Sequence, residues 1–169
     1  IRHRSLAVPA SLQAPLSVFR NDQAIKSHPK YVEAKAGNVD AAIQLVSDLA
    51  EPLKMHLAEF DTTTIFVAPH AKESAGDNAI PIVLSAYLAE YCASLLDDEI
   101  VQVNRVYHTG ADAMERLIAP AEFEGEVVPN GRYVIVDDVV TLGGTIADLA
   151  SYIQVHGGSI VGIVTLVDA

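Results

Sequence analysis

The stretch Tyr133-Val-Ile-Val-Asp-Asp-Val-Val-Thr-Leu-Gly-Gly-Thr145 decides the fold of this chain. Tyr133 to Val136 is an unbroken apolar run rich in β-branched residues, the pattern of a strand buried on both faces. Asp137 and Asp138 follow, then an apolar pair, then a turn of Thr and Gly. Beyond Thr145 the spacing changes, and Ile146, Leu149 and Ile153 recur on one face of a helix. This order of strand, acid pair, glycine turn and helix sets backbone N–H groups and the positive end of a helix dipole at the carboxyl end of a strand, where open α/β sheets bind ligands. Gly143 and Gly144 allow the backbone to approach a bound group closely. The hydroxyls of Thr141 and Thr145 can donate to phosphate oxygens. An acid pair beside such a turn suits sugar hydroxyls or a hydrated Mg²⁺ between protein and phosphates. A plain βα turn whose acids only cap the helix accounts for fewer of these residues. Two other phosphate signatures are absent: there is no Gly-Lys-Ser/Thr and no turn with three spaced glycines.

The same dozen residues resemble the phosphoribosyl diphosphate (PRPP) signature of the type I phosphoribosyltransferases: an apolar strand, two acids, two apolar residues and a Thr/Gly turn. The resemblance implies a three-layer α/β fold with a mainly parallel sheet flanked by helices. It implies that Asp137 and Asp138 contact the ribose hydroxyls and that Thr141, Leu142, Gly143, Gly144 and Thr145 wrap the 5′-phosphate. It also implies Mg²⁺, carried mainly by PRPP or held by Asp137 or Asp138 through water, and transfer of the phosphoribosyl group to a nitrogenous base with release of pyrophosphate. Family frequency favours a purine as the base, and a homodimer is the expected assembly. Two departures bear on this. Leu142 stands where many members have Thr, which leaves an N–H but no hydroxyl. Thr141 stands where purine-salvage members place a third acid, so no general base is supplied there. These departures give weight to an alternative, a non-catalytic PRPP- or nucleotide-binding regulator of the same fold. Amido transfer with ammonia is a third option and would need a glutaminase partner.

Outward from this motif, Thr63–Ala68 reads as another buried strand, ending in the loop Pro69-His-Ala-Lys-Glu-Ser-Ala-Gly76. In the family this loop holds pyrophosphate. By order along the chain Ala71, Lys72 and Glu73 fall there, with Lys72 evenly balanced against a solvated surface role, and Arg105 joins Lys72 as a tentative diphosphate contact. His70 reads as a packed loop residue, ahead of a base or a phosphate ligand. A helix is expected over Ile80–Leu96 and a strand, with one less buried face, over Ile100–Val106. The long polar connection to Gly131 matches the family's closing loop, in which Arg105, His108 and Arg116 are candidates to meet diphosphate and Glu115 or Asp112 to assist a base.

Composition bounds the rest. Half of the 169 residues are apolar, enough for one domain with a substantial core. The net charge is −11, from 22 acids against 11 bases. An acidic chain without a basic block argues against nucleic-acid binding through phosphates, though not against an anion site built from backbone N–H groups. No apolar run is long enough for a bilayer and no signal-like start is present. Cys92 stands alone in a helical pattern as a buried thiol, which excludes a disulfide within the chain and fits a reducing cytoplasm. Residues 1–36, broken by Pro9 and Pro15, read as an N-terminal extension serving as hood, tail or dimer arm. Residues 37–169 read as the core. Asn38 or Asp40 should cap a helix through Leu49, with Pro52 kinking it or opening a second one. Gly157-Gly158 should end the helix that follows the motif. Strands at 63–68, 100–106, 133–137 and 160–167 make a parallel core of four. The family's usual fifth strand is expected to be missing, trimmed or supplied by the N-terminal region, and the start at Ile1 reads as a processed or trimmed segment.

Overall fold

A computed structural model describes residues 7–9, 12, 15–71, 76–103, 121–140 and 144–169. The frame is a four-stranded, wholly parallel sheet with strand order β2-β1-β5-β6. Its members are β1 (Thr64–Val67), β2 (Leu95–Asp97), β5 (Arg132–Val140) and β6 (Ser159–Asp168). Two short strands, β3 (Val101–Val103) and β4 (Glu122–Glu124), pair antiparallel to each other outside it. Helices cover both faces, so the fold is a three-layer α/β arrangement with a mainly parallel sheet.

The apolar run that opens the motif sits at the centre of the sheet. Tyr133, Val134, Ile135 and Val136 are all fully buried, with β1 on one side and β6 on the other. Because side chains alternate across a strand, this run feeds two separate cores. Val134 and Val136 join Phe66 and Ala68 against α3 (Val39–Leu49) and α4 (Ile80–Cys92). Tyr133 and Ile135 join Ile65 and Val67 against α5 (Gly144–Val155). The helical face expected after the motif is the one α5 buries: Ile146, Leu149 and Ile153 are at most 4% exposed. The helix stops at Gly157-Gly158, where the Gly158 N–H donates to Ile153 O at 2.9 Å. Asn38 caps α3 through its side chain, accepting from the Ala41 N–H at 2.9 Å. Pro52 lies in the first turn of a 3₁₀ segment, Glu51–His56.

Two expectations are corrected. The helix expected over Ile80–Leu96 ends at Cys92, where Ala93 takes a left-handed conformation with φ 51°. Leu95–Asp97 is then the edge strand of the parallel sheet. Leu88, Tyr91 and Leu95 keep helical phase in the sequence, and periodicity alone carries the helix through a turn made by an alanine. Leu95 and Leu96 are also both exposed, so the strand has no inward-facing alternation to announce it. Conversely, the strand expected over Ile100–Val106 is not a member of the parallel sheet. Its first part is β3, and residues 104–106 lie outside the described residues.

The described part of the N-terminal segment packs onto the same frame. Leu16 and Phe19 bridge in parallel to Val164 and Val167 along the outer edge of β6, so this ribbon occupies the fifth position of the sheet. Two short helices, α1 (Gln23–Lys26) and α2 (Tyr31–Lys35), follow and bury Ile25 and Ala34 in the α3/α4 core. Gly37 then turns the chain with φ +102°. A Cβ at Gly37 would stand 2.9 Å from the carbonyl oxygen of Asp77, so glycine permits both the turn and the close approach. No helix among the described residues is long and apolar enough to cross a membrane.

Candidate functional site

β1 and β5 run parallel and adjacent, so their carboxyl ends open on the same edge of the sheet. A cleft of about 320 Å³ lies there. Pro69, His70 and Ala71 line it from the loop after β1, and Asp137 and Thr145 line it from the two ends of the acid-and-glycine motif. Asp77, Asn78 and Gln102 complete its polar wall. The volume lies in the range of small-ligand sites, about 300–1,000 Å³.

The loop after β1 is built by local bonds. The Ala71 N–H donates to Asp77 Oδ2 at 3.1 Å and closes the loop on itself. The Gln102 N–H donates to His70 O at 2.7 Å and fastens β3 alongside. His70 sits between two carbonyl oxygens, with Nδ1 2.8 Å from Ala68 O and Nε2 3.0 Å from Asp98 O. That is the packed-loop role, although the ring also forms part of the wall.

The two acids of the motif lie side by side, and their carboxyls interact. Asp137 opens into the cleft. Burial and the adjacent Asp138 carboxyl together raise its proton affinity well above the ordinary carboxylate range, against a smaller opposing pull from the Lys35 ammonium. Its Oδ1 accepts from the Asp138 N–H at 2.9 Å. Asp138 is 6% exposed. Its Oδ2 accepts from Asn78 Nδ2 at 2.8 Å and pairs with Lys35 Nζ at 3.5 Å, while its Oδ1 accepts from the Val139 N–H at 2.8 Å.

Of the residues singled out in the sequence, Ala71, Asp137 and Thr145 meet in the cleft, and Gly144 opens α5 beside it. Asp138 adjoins them but does not line the wall. Thr141, Leu142, Gly143, Lys72, Glu73, Arg105, His108, Asp112, Glu115 and Arg116 lie outside the described residues. Sequence reasoning missed Lys35, Asp77, Asn78 and Gln102. For Asp77-Asn78 a signal existed, since an Asx pair before an apolar, Pro-containing helix start is a capping signature. No such signal marks Lys35, which arrives from more than a hundred residues away.

Among the described residues no cluster of three or more His, Cys, Asp or Glu could cage a metal. Asp77 and Asp137 nevertheless offer carboxylate oxygens to one cleft. That donor set fits a hydrated Mg²⁺ that takes its remaining ligands from water and bound phosphates.

No protein-family model matches the chain. Protein TraN of Escherichia coli is 37% identical over 150 residues, covering 85% of this chain and 33% of that protein. An uncharacterized protein of Haemophilus influenzae is 37% identical over 131 residues, covering 75% of this chain and 29% of that protein. The chain thus spans about a third of the length of the curated relatives it matches. A stretch of 45 residues, 27% of this chain and 25% of the relative, is 42% identical to orotate phosphoribosyltransferase of Pyrococcus abyssi. Similar solved structures include phosphoribosyltransferases. That of adenine phosphoribosyltransferase from Thermoanaerobacter pseudethanolicus has a TM-score of 0.49 at 18% identity, covering 78% of this chain and 84% of that one. That of a hypoxanthine phosphoribosyltransferase from Staphylococcus aureus has a TM-score of 0.47 at 16% identity, covering 81% and 70%.

Proposed function

We propose that this chain binds PRPP in the cleft between β1 and β5 and transfers its phosphoribosyl group to a nitrogenous base, a purine in the first instance. The observation that carries the proposal is the meeting of Asp137 and Thr145, the two ends of the PRPP-like motif, in one cleft with the loop after β1. The orotate phosphoribosyltransferase of P. abyssi supports it, being 42% identical over a 45-residue stretch. In this reading the 5′-phosphate takes the N–H groups and hydroxyls of residues 141–145, and the ribose hydroxyls take the acid pair. The diphosphate takes Ala71, with Lys72 and Arg105 as its cationic contacts.

A nitrogen of the base attacks the anomeric carbon. The bond from that carbon to the diphosphate oxygen breaks, its electron pair leaves with pyrophosphate, and the base gives up a proton. The transition state has oxocarbenium character, as in glycoside cleavage. No protein nucleophile is required. The chain's contribution is to position the sugar and to keep water from the activated carbon. Bound Mg²⁺, held through water by Asp137 and Asp77, would neutralise charge on the leaving group. The same proposal makes the protein a cytoplasmic homodimer that acts on small molecules rather than nucleic acid.

Calorimetric titration of PRPP with and without Mg²⁺ tests the binding step, and pyrophosphate release across a panel of bases tests transfer. Saturable, Mg²⁺-dependent binding that weakens in Asp137→Asn is expected. Binding without release across the panel would leave a PRPP-binding regulator in place of an enzyme, and absence of binding would end the proposal.

A further inference from the structure

We propose that the side-chain amide of Gln102 donates to the diphosphate of PRPP and makes the cleft select PRPP over ribose 5-phosphate. This deepens the PRPP reading above and rests on it.

The backbone of Gln102 is fixed from two sides. Its N–H donates to His70 O at 2.7 Å, and it bridges in parallel to Ala71, so it lies against the loop that takes the diphosphate in that reading. On its other side it pairs antiparallel with Phe123 of β4. Residues directly opposite in an antiparallel pair send their side chains to the same face. Phe123 marks that face, because its ring meets Tyr152 of α5 with centroids 6.2 Å apart. The Gln102 side chain therefore leaves β3 towards α5, and Thr145 in the first turn of α5 lines the same cleft. A half-buried amide is thus held between the loop after β1 and the start of α5.

The neighbouring polar groups of the wall are largely spent within the protein. Both His70 nitrogens face carbonyl oxygens. Asn78 uses both ends of its amide, on Asp138 and on the Ile80 N–H. Asp77 accepts the Ala71 N–H, and Asp137 accepts the Asp138 N–H. Gln102 makes no side-chain hydrogen bond among the described residues. Its two N–H donors and its carbonyl oxygen are left for a ligand. Among the described residues no Lys or Arg lines the cleft, whereas Asp77 and Asp137 do. An amide suits that company: it carries no charge to be drawn onto either carboxylate, and its N–H groups can still donate to a phosphate oxygen. A hydrogen bond to such a charged acceptor is roughly twice as strong as one between neutral groups.

The test is calorimetric titration of the wild type, Gln102→Leu, Gln102→Glu and Thr145→Val with PRPP, pyrophosphate and ribose 5-phosphate, each in the presence of Mg²⁺. Melting temperature is recorded for every variant. Gln102→Leu keeps the backbone bond to His70 and most of the side chain's bulk and removes the amide. It should bind PRPP and pyrophosphate about tenfold more weakly, the scale of a lost hydrogen bond to a charged group, and ribose 5-phosphate as the wild type does. Gln102→Glu sets a carboxylate against the diphosphate and should lose more affinity for the same two ligands. Thr145→Val, at the 5′-phosphate end, should show the reverse pattern, with weaker PRPP and ribose 5-phosphate and unchanged pyrophosphate. Gln102→Glu carries the test if Gln102→Leu melts below the assay temperature. Wild-type affinity for PRPP and pyrophosphate in the Gln102 variants, or an equal loss for all three ligands, would overturn the proposal and leave the PRPP reading standing. A wild type that binds no PRPP would overturn the PRPP reading and this one with it.

Discussion

Asn78 spans the gap between a helix start and a buried acid: one side-chain amide donates to Asp138 Oδ2 at 2.8 Å and accepts from the Ile80 N–H at 3.0 Å. The two bonds use opposite ends of the amide, so no hydrophobic replacement satisfies either partner. Asn78→Ala would leave Asp138 buried with one contact fewer and the Ile80 N–H at the start of α4 without its side-chain acceptor. A cost of about 1–3 kcal/mol is expected from the unmet buried acceptor, read as a lower urea midpoint at unchanged slope. A midpoint equal to that of the wild type would mean that water replaces the amide at no cost.

Asp137 gives stability a pH dependence of unusual sign. Burial and Asp138 raise its proton affinity in the folded state above the ordinary carboxylate range. Between the ordinary value and the raised one, the folded chain holds a proton that the unfolded chain has released, so stability falls as pH rises through this window. The penalty for the charged, crowded carboxyl grows as pH rises through this window. Asp137→Asn removes it and should melt higher than the wild type at pH 7. The difference should close as pH falls towards the ordinary aspartate value near 3.9. Thermal melts of both proteins from pH 4 to 8 check this, and a gap that does not narrow on acidification would refute it.

The cap of α3 offers a test away from charge chemistry. Asn38 accepts the Ala41 N–H at 2.9 Å and stands just after the Gly37 turn. Asn38→Ala should cost about 0.5–2 kcal/mol, and Asn38→Ser, which keeps a side-chain acceptor, should recover most of it in the same denaturation experiment.

The central strand, the helix after it and the cleft position were legible because each rests on local order. Tyr133–Val136 had to be buried on both faces. The strand runs on to Val140, past the end at 137 read from the sequence, so both acids lie within it. What could not be read is what depends on distant contacts. Lys35 reaches Asp138 only because α2 docks on the turn before α4. Leu95–Asp97 is a strand only because β1 lies beside it, since its exposed leucines continue the phase of the preceding helix. The placement of residues 16–19 along β6 likewise depends on an edge that exists only in the folded sheet.

Gly162 shows how closely the α3/α4 layer is fitted to the sheet. It stands in β6 opposite Val134, next to a register shift in the β5–β6 pairing. A Cβ there would lie 2.6 Å from Phe60 Cζ and 2.9 Å from Cε1. Phe60 cannot simply swing aside, because its ring meets Phe66 edge-on, with centroids 5.9 Å apart and planes at 88°, and Phe66, in β1, is fully buried. Gly162→Ala should therefore destabilise by about 1–3 kcal/mol, the usual cost of overpacking a filled core. Phe60→Leu shortens the obstructing ring and should lower the cost of adding the methyl group, so that the double variant is more stable than the sum of the two single losses predicts. Since neither residue reaches the cleft, PRPP affinity at a temperature well below the melting transition should stay at the wild-type value in Gly162→Ala. A loss of affinity there would mean that strain in this layer reaches Asp137 through β5.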